Sequence, residues 1–289
     1  MFSKNSNHSI VSHTLVSVGI RILIVISLVT TISYFHIFST MEATKLAEFK
    51  SLTLERAARE SQIFSLAEDN HDLLKNAILD AYQPLNIEGN NSFFEQQLVV
   101  QADGGIRVNP ETFDAANSAG VWIAKDVEIT DELQYRVSIL HELISDYGKS
   151  WRNRFINTYA FGIENFAAIY WPSIGDFTYR LEADFDIRLE EYFAISIEEN
   201  NPQKKTVWTG VYLDKQADIW MVSIETPIYY QQQHIATIGN DMSLDELFKR
   251  TLNQAPQGGY NLIFRQDGRL IAHQKYVQQL LDNDKAYYA

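Results

Sequence analysis

Residues 206–247, TVWTGVYLDKQADIWMVSIETPIYYQQQHIATIGNDMSLDEL, decide the fold. They read as three consecutive antiparallel strands over 206–213, 219–228 and 234–240, feeding a helix over 243–252. Side chains on a strand alternate between faces. Trp208, Gly210, Tyr212 and Asp214 therefore share one face, and Ile235, Thr237, Gly239 and Asp241 share one face of another strand. Burying a carboxylate is costly unless something satisfies it, and two on one surface invite a cation or a ligand ammonium. Neighbouring aromatic rings would add cation–π attraction. A purely structural reading stands beside this one: Asp214 opens the turn through Asp218, and Asp241 caps the helix that starts at Ser243.

Working outward, residues 22–38, ILIVISLVTTISYFHIF, carry no Asp, Glu, Lys or Arg. As a helix they span about 26 Å, and extension back through Leu15, Val16 and Val18 lets the segment cross a hydrocarbon core of roughly 30 Å. Lys4 and Arg21 precede it, so the positive-inside rule puts the N-terminus in the cytoplasm and the following residues outside. A cleaved signal peptide is the competing reading, but residues 38–41 offer no small-x-small cleavage site. Residues 41–82 contain no Gly or Pro and are rich in Ala, Leu, Glu and Lys, which predicts one long helix. Its apolar stripe is formed by Ile63, Leu66, Ala67, Leu74, Ala77, Ile78 and Ala81, and Pro84 with the Glu88-Gly89-Asn90-Asn91 run ends it. Further on, the pattern predicts strands over 93–102 and 106–108 around the Asp103-Gly104-Gly105 turn, and a helix over 131–154 with Leu133, Val137, Leu140 and Ile144 on one face. A strand over 164–171 stops at Pro172, 184–197 is helical or irregular, and Asn200-Asn201-Pro202 is a turn. Residues 254–259 form a linker, and a hairpin over 260–264 and 269–273 turns at Asp267-Gly268.

The 289 residues carry a net charge of −13, and because 1–41 hold only the cations Lys4 and Arg21, the remainder stands at −15. An acidic body argues against nucleic acid, whose phosphates favour basic surfaces. The absence of cysteine removes thiolate catalysis, disulfides and cysteine-ligated zinc. The seven histidines show no metal-ligand spacing. His141-Glu142 lacks the second histidine of a zinc helix, since position 145 is Ser. No phosphate loop or nucleophile elbow is present. The expectation is no catalytic group, no metal and no cofactor within these residues, with any enzyme activity left to other parts of a parent protein.

Several motifs in order, Tyr170-Trp171-Pro172, Glu191-Tyr192-Phe193, Asn201-Pro202, 208–214 (WTGVYLD), Met221-Val222-Ser223, Pro227-Ile228-Tyr229 and Ile238-Gly239-Asn240-Asp241, resemble the membrane-distal module of the double Cache extracellular sensor of bacterial receptors. Residues 260–265 and 267–273 are similar to the start of the membrane-proximal module. The resemblance implies an α+β fold with a transmembrane helix, a long helix and PAS-like modules, each built on an antiparallel sheet. It implies a cytoplasmic N-terminus over 1–21, a span over 22–40, a stalk helix over 41–84, a distal module over 85–253 and an incomplete proximal module over 260–289. In amino-acid-binding members a Tyr-x-Asp strand and a later Asp hold the ligand's amino group, which maps to Tyr212, Asp214 and Asp241. Tyr192 and Trp208 join them as candidate ligand-binding residues. Those members also place an arginine beside an aromatic pair to hold the carboxylate. Here the stretch is Glu190-Glu191-Tyr192-Phe193, with Arg188 out of step, which points to an amine or another small organic ligand. The implied protein is a homodimeric receptor of the inner membrane, with its sensor in the periplasm and its output domain beyond these residues. The expected order for that output is diguanylate cyclase, histidine kinase, then chemoreceptor. An anchored or secreted binding protein without output is the alternative.

Overall fold

A computed structural model describes residues 10–82, 92–244, 260, 262–264 and 270–273. The chain divides into two compact units, Met1–Ile63 and Phe64–Ala289. One helix, α1 (Ile10–Ala81), contributes to both. Within the first unit most of its described side chains are exposed, and it carries the one stretch among the described residues that is long and apolar enough to cross a membrane.

The second unit is built on a nine-stranded antiparallel sheet. A short helix α2 (Ser92–Gln97) precedes strands β1 (Leu98–Val100), β2 (Ile106–Val108) and β3 (Gly120–Ile123). Helix α3 (Asp131–Trp151) follows, opened by Thr130, whose hydroxyl accepts from the Leu133 amide at 3.2 Å. That bond satisfies one of the amides a helix start leaves unpaired. Next come β4 (Thr158–Gly162), β5 (Phe166–Tyr170) and two single-turn helices, α4 (Phe177–Arg180) and α5 (Glu191–Ala194). The sheet closes with β6 (Val207–Trp208), β7 (Tyr212–Asp214), β8 (Ile219–Tyr230) and β9 (Gln233–Ser243). Its order is β1-β2-β3-β5-β4-β9-β8-β6, with β7 also on β8. A separate hairpin pairs β10 (Leu262–Phe264) with β11 (Leu270–His273).

The sheet has two differently used faces. Gly148 of α3 lies against the Tyr170 ring, and Arg136 of α3 sits 5.6 Å over Phe166. On the same face the end of α1 buries Ala67, Leu74 and Ile78. His71 of α1 bonds Thr226 of β8 and Asn240 of β9 there, at 2.8 and 3.0 Å. The opposite face carries Tyr159, Phe161, Ala167, Ile169 and Met221, covered by the segment that holds Phe177, Leu181, Ile187 and Phe193. This α+β arrangement agrees with the expected fold class.

Several expectations are corrected. Residues 93–97 are helical, because Phe93 stacks on His141 of α3 at 3.9 Å instead of joining the sheet. The strand expected over 206–213 is two strands in different registers. Trp208 pairs with Ile224 while Tyr212 pairs with Met221, so one residue slips between them and Trp208 and Tyr212 occupy opposite faces. Leu66 is 52 % exposed and leaves the α1 stripe, which runs instead through Asn70 and His71. Residues 184–197, expected to be helical or irregular, are both: a 3-10 turn over Ile187–Leu189 and the single turn of α5 within irregular chain. The helix after Ser243, the end signals of α1 at 84–91 and the linker over 254–259 lie outside the described residues.

Candidate functional site

The covered face of the sheet encloses a cavity between β4, β5, β7 and β9 and the segment from Trp171 to Tyr192. Asn157, Tyr159, Phe161, Ile169 and Trp171 form its floor, Phe177, Leu181, Phe185 and Ile187 its cover, and Tyr192, Tyr212, Asp214 and Asp241 its acidic end. Its walls stand close together, leaving about 20 Å³ for the centre of a water molecule, room for one or two waters. Tyr192 bridges the rings of Phe161 and Tyr212 at 5.5 and 5.6 Å.

Each acidic residue is placed by its strand. Asp241 and Ser223 are paired across β9 and β8, so both face the cavity. Ser223 Oγ donates to Asp241 Oδ1 at 2.5 Å, and Tyr212 Oη lies 2.7 Å from Ser223 Oγ. Asn157 Nδ2 donates to Asp241 Oδ2 at 2.5 Å, and the Asp241 amide donates back to Asn157 Oδ1 at 3.0 Å. Tyr159 Oη lies 2.9 Å from Asp241 Oδ1 and 2.5 Å from Glu225 Oε1. The Tyr159 ring crosses directly over Gly239, where a Cβ would collide with it. Glycine is required at that point.

Burial pushes the Asp241 carboxyl up to about 6, against donors from Ser223 and Asn157 that favour its charged form. Burial also raises Asp214, opposed by the backbone amides of Ala217 and Gln216, each donating to Oδ1 at 2.8 Å. The hydroxyls of Tyr159, Tyr192 and Tyr212 are all pushed up, by burial first and nearby carboxylates second. No Lys, Arg or His lines the cavity among the described residues. Arg188 is held away from it by Asp186, at 2.6 and 2.8 Å.

Four of the five residues singled out from sequence, Tyr192, Tyr212, Asp214 and Asp241, line this one cavity. Trp208 does not. The register slip sends it to the α1 side, where Nε1 donates to Glu68 at 3.1 Å and the ring meets Phe64 at 4.9 Å. Of the two structural alternatives, the turn at Asp214 is present, with the Asp218 amide also bonded to the Asp214 carbonyl at 2.7 Å. The Asp241 carboxylate is held by Asn157, Ser223 and Tyr159, and the helix it was expected to cap lies outside the described residues. Asn157, Tyr159, Phe161 and Trp171 were not foreseen. The one sequence signal for Tyr159 is Gly239 inside an otherwise full-sized strand, a mark of close approach. Among the described residues no group of His, Asp and Glu is arranged to hold a metal.

Residues 106–249 match the family described as methyl-accepting chemotaxis protein-like, first PDC sensor domain. No curated protein is significantly similar to the chain. Among solved structures, the ligand-binding domain of the Pseudomonas fluorescens chemoreceptor CtaA in complex with L-serine is 18% identical over 48% of this chain and 57% of its own, with a TM-score of 0.38. The Pseudomonas aeruginosa amino acid chemoreceptor PctB domain with L-Gln is 22% identical over 43% and 48%, at 0.34. The sensory domain of Campylobacter jejuni chemoreceptor Tlp3 is 16% identical over 79% and 77%, at 0.39. The chain thus spans a little over half the length of the first of these relatives. Residues 106–249 are a first PDC sensor module, the Cache-type module that the motifs from Tyr170 to Asp241 resemble.

Proposed function

We propose that the module is the extracellular input of a membrane-anchored signalling receptor, and that its cavity takes a small organic cation. The observation that carries the second part is the lining itself: two buried carboxylates, Asp214 and Asp241, among seven aromatic residues, Tyr159, Phe161, Trp171, Phe177, Phe185, Tyr192 and Tyr212, with no cationic side chain among the described residues. An ammonium group is satisfied there by charge, by hydrogen bonds and by ring faces together. A free carboxylate on the ligand would meet only like charge. Asp214 Oδ1 is taken by the turn, and Oδ2 has no partner among the described residues, so it is the oxygen assigned to the ligand.

The family membership supports the sensor reading, and the apolar part of α1 supports the anchor. The sensor is assigned to the periplasmic side of the inner membrane. Leu46, Phe49, Leu52 and Leu54 of α1 are each more than half exposed, and a second copy of the chain is the partner assigned to them. The output assigned to the parent receptor is a diguanylate cyclase, then a histidine kinase, with a chemotaxis output supported by the family's description.

The test is a thermal-shift screen of the full chain in detergent with small amines and with carboxylates lacking an amine. At a hundred times its dissociation constant a ligand stabilises by about 2.7 kcal/mol. Amines are expected to raise the melting temperature, and Asp214→Asn and Asp241→Asn to abolish the rise while the free protein stays folded. A response to carboxylates alone would overturn the cation reading.

A further inference from the structure

Glu225 lies on β8 behind the cavity, fully buried, and takes no part in its lining. Its Oε1 is 2.5 Å from Tyr159 Oη, while Oε2 has no partner among the described residues. The same Tyr159 oxygen is 2.9 Å from Asp241 Oδ1. A tyrosine hydroxyl has one proton to give, so it cannot donate to both carboxyls. With both ionised, one contact would set a lone pair against a buried anion. One of the two acids must therefore hold a proton.

The hydrogen-bond inventory decides which. Asp241 faces donors from Ser223, Asn157 and Tyr159, whereas Glu225 faces Tyr159 alone. An anion belongs where the donors are. A proton on Asp241 Oδ1 would also turn the Ser223 hydroxyl toward Tyr212 and forfeit the charge-assisted bond that Ser223 makes to Asp241 at 2.5 Å. We infer that Glu225 is a neutral carboxylic acid that donates to Tyr159, turning the Tyr159 proton toward Asp241 and leaving Asp241 the single negative charge of the network. Every proton then points one way: Glu225 to Tyr159 to Asp241, Tyr212 to Ser223 to Asp241, Asn157 to Asp241. Glu225 is a positioning residue acting through Tyr159. Burial, with the Asp241 charge beside it, pushes the Glu225 carboxyl well above the ordinary range, in keeping with the geometry. The ionisable groups around it are Tyr159 from β4, Tyr212 from β7, Asp241 from β9 and, across the cavity, Tyr192. None is cationic. The orienting role rests on the reading of Asp241 as a ligand carboxylate, whereas the proton does not.

The proton is measured in the ligand-free full chain in detergent. Infrared difference spectra at neutral pH are expected to show a carboxylic acid carbonyl band that Glu225→Gln removes and Asp241→Asn retains. Loss of the band in Asp241→Asn and its survival in Glu225→Gln would place the proton on Asp241 and overturn the inference, as would no band at all. The pH profile gives a second readout. The folded acid keeps its proton while the unfolded one loses it near pH 4.3, so above that pH the unfolding constant of the wild type should rise about tenfold per pH unit relative to Glu225→Gln. A flat ratio would mean an ionised, merely structural Glu225. If methylammonium gives no thermal shift while the band is present, the cation reading fails and the neutral acid stands.

Discussion

Gly239 lets the aromatic floor and the acidic end of the cavity meet, because the Tyr159 ring occupies the space a side chain would fill. Gly239→Ala should destabilise the unit by about 1–3 kcal/mol, the usual cost of overpacking, in urea titration. It should also weaken any amine response by displacing Tyr159 from Asp241. On the other face, His71 is buried between Thr226 and Asn240, and burial pulls its pKa down to about 4 from 6.5. The unfolded chain therefore binds the proton first. This contribution is fully present above pH 6.5 and is lost as pH falls toward 4, roughly 3 kcal/mol in all. His71→Gln should flatten the pH-stability curve in that window, read as a difference from wild type. At this scale the sequence showed Asp214, Asp241, Tyr212 and Tyr192 through alternation and motif. It could not show Asn157, Tyr159 or Glu225, whose partners stand 84, 66 or more residues away. Nor does any periodicity reveal a histidine buried in a helix stripe.

Elements with one wet and one dry face, or with strong caps, were legible. The helix expected over 131–154 is α3, with Leu133, Val137, Leu140 and Ile144 all buried. The hairpins around residues 103–105 and across β8 and β9 follow from their turns and their runs of β-branched and aromatic residues. Strands β3 and β4 are buried at every residue, so no alternation marks them, and unlike the equally buried β5 neither is bounded by a proline. The break between β6 and β7 was equally hidden. Thr209 still reaches β8, its amide donating to the Ser223 carbonyl at 2.9 Å, in the register of β6.

For the whole molecule, the apolar span and the long helix were read directly from composition, and the sheet confirms the expected fold class. The proposed anchor makes a topological prediction. With Lys4 and Arg21 on the inner side, Glu111→Cys, on an exposed turn of the second unit, should react with a membrane-impermeant thiol reagent in intact cells. Ser6→Cys should not. Equal labelling at the two positions would remove the anchor and with it the extracellular assignment.

The single residue of slack between Trp208 and Tyr212 acts as a phase setting on the strand. It lets two aromatics four positions apart serve opposite masters, one gripping α1 through Glu68 and Phe64, the other lining the cavity. Deleting Gly210 would take out that surplus residue and leave three steps against the three from Ile224 to Met221, so both rings would keep their partners and their opposite faces. The sheet should persist by circular dichroism and the amine response should survive. Loss of the response in a folded variant would show that the surplus residue itself shapes the cavity. The odd separation of the two partners on β8, more than the residues between the rings, governs which ring faces the cavity.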